Sequence, residues 1–272
     1  MSKMTFLQQH RFFLLGLLFS IGSLIIFYII GLNGWGGTIS GCYNSECFCE
    51  QMCTDSVILE PVNTWTNLFY MLSGLLILWQ VEHTRIKTQK TSNNPFEYAS
   101  FYSILYAFVV IDIGVGSWLF HANLRDYGGI WDMASMNAYM SFLLIYVLTR
   151  NFNKSPTWFL SIFLTLTISL IILSDYSVIT FSVLVSVCGL YELGSVIWMH
   201  KKGSLRGLLR NWKWYAWGFG IFNFGFLIWN LTNTGDIWCN PNTIWQGHGF
   251  WHLTTALATY FFYLYLKSEH KV

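Results

Sequence analysis

Eight long apolar runs, parted by short stretches that hold most of the charge, constrain this 272-residue chain more than any other feature. A helix needs roughly 20 residues to cross a hydrocarbon core of about 30 Å. The runs cover residues 12–32, 62–82, 99–121, 131–149, 156–174, 177–199, 214–232 and 245–267. Backbone groups in lipid must be satisfied within the segment, so each run is expected to be a helix. Composition agrees: 54% of the residues are hydrophobic and 10% charged, where a soluble domain carries about a quarter charged. The fold class expected is therefore an all-α integral membrane protein. A net charge of +2 with no basic patch leaves nothing to recognise nucleic acid.

Orientation follows from where the basic residues lie. With the N-terminus inside and eight crossings, the inner segments hold all of the 15 Lys and Arg residues except Arg125, from Lys3 and Arg11 through Lys90 to Lys267 and Lys271. That asymmetry sets topology by the positive-inside rule, with both termini cytoplasmic. The outer segments carry Glu46, Glu50, Asp55, Asp126, Asp175 and Asp236. An alternative for the first run is a signal peptide, with Ile39-Ser40-Gly41-Cys42 as a lipoprotein cleavage box. Its apolar run exceeds the roughly 7–15 residues of a signal core, which favours an uncleaved helix. The organisation expected is residues 1–61 as an added helix with a Cys-rich extracytoplasmic loop, and residues 62–272 as a seven-helix bundle.

Five of the six cysteines, Cys42, Cys47, Cys49, Cys53 and Cys239, fall on the outer side, and Cys188 lies in a span. Segregation to one face points to an oxidising compartment and disulfides. The spacing of Cys47, Cys49 and Cys53 fits no common zinc pattern.

Chemistry concentrates in two places. Gly116-Ser117-Trp118-Leu119-Phe120-His121 closes the third run, and Asp132 opens the fourth; His248-Gly249-Phe250-Trp251-His252 opens the eighth. Residues four apart share a helix face, so Ser117 pairs with His121 and His248 with His252. The topology puts all five at one membrane depth, where three imidazoles can converge on one ion. Three His ligands leave a fourth position of Zn²⁺ open, as in catalytic sites. Asp132 is the candidate proton carrier and Ser117 the candidate oxyanion donor.

These motifs resemble those of the alkaline ceramidases, in a superfamily shared with adiponectin-receptor-like proteins and a GPI-lipid remodelling hydrolase. The resemblance covers roughly residues 46–267. Glu60 with Asn63-Thr64 and Asn67, and Trp229-Asn230 ahead of Cys239, point to the ceramidase branch. It implies a seven-helix bundle plus one extra N-terminal helix, zinc on His121, His248 and His252, and Asp132 and Ser117 as catalytic groups. It also implies a Cys49–Cys239 disulfide and a ceramide-like membrane lipid as substrate. Two departures are visible. Of the family's calcium ligands in the early loop only Glu50 is kept, with Glu60 one residue sooner than the family's Glu, so these two remain as the candidate calcium ligands. Asp132 is followed by Met133 where the family commonly has Glu.

Asp112 and Glu192 are expected to be paired structural acids, since intramembrane acids face a bundle interior. Three functional classes compete: a zinc-dependent amide hydrolase, a receptor-like protein with structural zinc, and a transporter. The absence of repeats and broken helices disfavours the transporter. Within the hydrolase class, an ester-lipid remodelling enzyme is the alternative to an amidase.

Overall fold

The structure is a computed structural model, and it describes residues 6–45, 47–88, 93–173 and 178–272. Lys3, Glu46, Lys90 and Asp175, which enter the charge argument above, lie outside the described residues. In chain order the elements are α1 (Phe6–Gln9), α2 (Arg11–Leu32), α3 (Gly41–Ser45), α4 (Pro61–Thr66), α5 (Leu68–Thr88), α6 (Phe101–Asn123), α7 (Asp126–Asn151), α8 (Pro156–Leu173), α9 (Val178–Lys202), β1 (Leu208–Leu209), α10 (Trp212–Leu231), α11 (Gly247–Lys267) and β2 (His270–Lys271). Helix occupies most of the described part of each apolar run. Among the described residues, Arg11–Leu32, Phe101–Asn123 and Phe181–Lys202 are long and apolar enough to cross a membrane, and Pro156–Ile172 is a shorter apolar helix.

Two runs differ from the expected bounds for local reasons. The second is split at Asn67 into α4 and α5, and Pro61 starts α4 at a position where its missing N–H costs nothing. The fourth begins at Asp126 rather than residue 131. An acidic residue in the first turn complements the helix dipole, a polar extension that hydropathy does not register.

Helix α6 is the axis of the bundle. Ser100 and Ser103 form a reciprocal capping box at its start, and Leu124, in the left-handed region at φ 47°, ends it. From Val109 to Asn123 nearly every residue is buried, packed among α5, α7 and α4. Small residues allow close approach where packing rather than the hydrophobic effect joins helices: a Cβ on Gly116 would meet the Trp131 side chain at 2.8 Å. Helices α10 and α11 pack along their length, and α8 and α9 flank α7.

Helix α2 is different in kind. It is apolar all round, and only Gly16, Ser20 and Gly31 are buried, as expected of a lipid-facing element. The buried Glu82 carboxylate of α5 ties it down, accepting the Phe12 and Phe13 N–H groups at 2.9 Å each. These are two of the amides that a helix start leaves without partners. A Cβ on Gly16 would come within 2.7 Å of Leu78, so glycine sets that approach.

At the far end from the histidines, β1 and β2 form a two-stranded antiparallel pair, Leu208 opposite Lys271. These strands join the chain terminus to the α9–α10 connection and were not anticipated from the sequence.

Candidate metal centre

The α6 terminus and the α11 start meet at one end of the bundle. His121, at 0% exposure, stands in the last turn of α6, and His248 and His252 lie one turn apart at the start of α11. Among the described residues these three form the group able to hold a metal ion, with ligand atoms all within 4.8 Å of one another. His121 Nε2 and His248 Nε2 are 3.1 Å apart.

Neighbouring groups fix which nitrogen His121 and His252 offer. His121 Nδ1 lies 2.6 Å from Glu60 Oε2, and a carboxylate can only accept, so Nδ1 carries the proton and Nε2 a lone pair. The Thr66 hydroxyl lies 2.8 Å from the Val62 carbonyl and donates to it, leaving its oxygen to accept from His252 Nδ1 at 3.0 Å. Both rings therefore turn their Nε2 atoms inward, as metal-ligating histidines do when a partner holds the other nitrogen. His248 Nδ1 is buried without a partner among the described residues. A neutral, all-nitrogen, three-donor set suits Zn²⁺ with a position left open.

A cavity of about 830 Å³ reaches this centre, and Ser117, Asp132, His248 and His252 all line it. Asp132 is buried, with Oδ1 unpartnered among the described residues and the Ser117 side chain beside its carboxyl. The remaining wall is largely apolar, with Tyr70, Met133, Met136, Phe181 and Trp251 among its residues. Such a shape accommodates a long aliphatic chain with its polar end towards the histidines.

The loop before α4 covers the centre. Disulfides join Cys42 to Cys47 and Cys49 to Cys239; Cys53 is a free, exposed thiol and Cys188 a free, buried one. The Phe48 ring lies 4.2 Å from that of His248 and 4.7 Å from that of His121. Sequence reasoning missed Phe48, because an aromatic residue in a Cys-rich loop carries no spacing signal.

Glu50 and Glu60, the residues left for calcium by the sequence, are both engaged with the protein. The Glu50 carboxylate accepts the Val62 and Asn63 N–H groups at 2.6 and 2.8 Å, capping α4. Burial pushes its carboxyl up to about 7, against the pull of those two amides. Glu60 accepts from His121 and from the Asn63 amide. Of the two acids expected within spans, Asp112 accepts from Trp131 Nε1 at 3.1 Å, and Glu192 accepts from the Tyr265 hydroxyl at 2.7 Å. Neither belongs to the three-histidine group.

A search among curated proteins finds no match to the sequence. A family model described as Ceramidase matches residues 44–270, far more than half of the chain, and the chain belongs to the ceramidase family.

Proposed function

We propose that this protein is a zinc-dependent intramembrane amidase that cleaves ceramide or a closely related N-acyl lipid into a fatty acid and an amine. One observation carries the reading: three buried histidines with converging nitrogens stand at the edge of a lipid-sized cavity lined by two of them, His248 and His252, together with Asp132 and Ser117, in a chain of the ceramidase family. His121, His248 and His252 would hold the ion. When bound, zinc supplies Lewis acidity towards water and towards a carbonyl oxygen. Asp132 takes a proton from the attacking water and returns it to the departing amine, the step an amide needs most because amines leave poorly. Ser117 donates a hydrogen bond to the oxyanion that develops on the carbonyl. The apolar wall holds the acyl chain and keeps bulk water from the reacting centre. Calcium has the weaker case, because Glu50 and Glu60 already serve α4 and His121.

The setting we infer is eight spans, seven of them the hydrolase bundle and the first, α2, an addition. Both termini face the basic, cytoplasmic side, and the histidines lie near the extracytoplasmic face, where the amide of a membrane lipid sits. Reporter fusions at Lys202 and Asp236 are expected to report opposite sides, with Lys202 inside; an inside signal at Asp236 inverts the scheme.

The deciding experiment incubates purified protein with ceramides, other N-acyl lipids and ester lipids, and reads fatty acid by mass spectrometry beside His248→Ala. Zinc-dependent release from amides is the expected outcome. Release from esters alone assigns the ester-lipid remodelling activity instead. No release from any lipid by fully zinc-loaded protein assigns the receptor-like class.

A further inference from the structure

The wall of the cavity next to the histidines is built by the loop that precedes α4, and its construction is unusually constrained. Phe48 sits between two half-cystines: Cys47 is bonded to Cys42, and Cys49 to Cys239 in the loop leading into α11. Its ring contacts Phe120 at 6.2 Å besides the two histidines. Backbone bonds stitch the same loop to the bundle, from Ser40 N to Leu124 O at 2.9 Å, Asp126 N to Thr38 O at 3.0 Å and Gln51 N to Pro241 O at 3.1 Å. The ring is thus anchored to α6 and to the segment that carries His248, and it keeps its place relative to the metal-binding nitrogens.

Any carbonyl brought to His121 and His248 must therefore have its neighbouring atoms against this ring. The ring offers no hydrogen bond, so a phosphate or a sugar placed there would lose hydration with nothing in return. Two other residues of the same cavity sharpen the choice. Asp126 adds a carboxylate that repels an anionic head. Ser40 is buried, and its hydroxyl has no partner among the described residues, which leaves it free for a small hydroxyl-bearing head. We propose that Phe48 is a specificity-determining residue: it limits the head end of the substrate to small, uncharged, hydroxyl-bearing groups and turns away phosphodiester and glycosyl heads. This rests on the amidase reading above and assigns the part of the site that acts on the head rather than the acyl chain.

The test compares a ceramide with the same ceramide bearing phosphocholine or glucose at its head. The readouts are kcat/KM for fatty acid release by zinc-loaded protein, and lipid binding by metal-free protein followed through tryptophan fluorescence. Phe48→Ala is expected to raise the ratio of substituted to unsubstituted lipid about tenfold or more in both readouts, with bound zinc unchanged. Phe48→Trp should leave the ratio at or below that of wild type. If Phe48→Ala fails to fold, Phe48→Leu keeps an apolar side chain with less reach, and a smaller rise in the same direction is expected. A Phe48→Ala or Phe48→Leu protein that turns over ceramide with the wild-type ratio overturns the proposal. Wild-type protein that hydrolyses no lipid at all overturns the amidase reading, and this one with it.

Discussion

The two ends of the bundle bury polar groups in opposite ways. At the end bearing the chain terminus, Glu269 binds Arg210 through Nη2 at 2.6 Å and Nε at 2.9 Å, and Arg150 Nε at 2.7 Å. Arg210 also reaches the Asn151 side chain, with Glu192 at 3.8 Å, and Asn94 donates to the Leu266, Lys267 and Glu269 carbonyls. The cavity beside Glu192 and Tyr265 is only about 70 Å³. At the histidine end, His248 Nδ1, Asp132 Oδ1 and the Ser40 hydroxyl are buried without partners among the described residues, and all three residues line a cavity of about 830 Å³. Burying charge costs several kcal/mol unless partners are present. The arginine end meets most of that cost internally, with Arg210 Nη1 and Glu192 Oε1 facing each other at 3.8 Å as an ion pair rather than a hydrogen bond, and behaves as a brace. The histidine end leaves it outstanding, beside the three histidines able to hold a metal ion.

If that contrast is right, variants at the two ends should fail differently. The largest effect is expected from Asp132→Asn: fatty acid release should fall about 10²–10⁴-fold, the range for loss of a general acid–base. Zinc content should be retained and Tm equal or higher, because a buried carboxyl whose Oδ1 has no partner among the described residues is replaced by a neutral amide. Activity kept in this variant would remove Asp132 from the mechanism. The mirror image is Glu269→Ala. It strands Arg210, which is 3% exposed, and should cost about 3–5 kcal/mol in stability. Zinc per folded protein and kcat are expected to stay at wild-type values. A loss of zinc affinity there would mean the two ends are coupled and the contrast is false.

How the sequence encodes each end explains what could be read from it. The helices announce themselves through apolar runs, and the three histidines through helix-end positions and one four-residue spacing. The Cys49–Cys239 link was implied by family resemblance, since five cysteines at one face allow several pairings. The contacts that orient the histidines were not legible in the sequence. Glu60 is 61 residues from His121, and Thr66 is 186 from His252. No periodicity connects residues that only the packing of α4 against α6 and α11 brings together. Glu60 instead read as a calcium candidate, because a carboxylate has the same signature whether it binds an ion or a ring nitrogen. Arg210 and Glu269 were equally opaque. The basic residues of the inner side entered only as a topology signal, yet the β1–β2 pairing brings the segment with Glu269 to Arg210.

The smallest effects expected separate those two orienting contacts. Glu60 gives His121 Nδ1 a charged acceptor at 2.6 Å, whereas Thr66 gives His252 a neutral one at 3.0 Å. A carboxylate behind a ligating imidazole raises its basicity and fixes its tautomer, and losing such a partner typically lowers metal affinity about 10–100-fold. Glu60→Gln keeps an acceptor and removes the charge, so it belongs near tenfold. Thr66→Val keeps the shape and removes the acceptor, and because hydrogen bonds between neutral groups are about half as strong as charged ones, its effect should be smaller. Competition with a chelator of known affinity measures both without any substrate. Glu60→Gln weaker than Thr66→Val, and both weaker than wild type, is the order expected if these rings present Nε2 to the ion. Equal affinities would place the metal elsewhere, and a change in calcium dependence with zinc affinity intact would return Glu60 to the calcium role its sequence context implies.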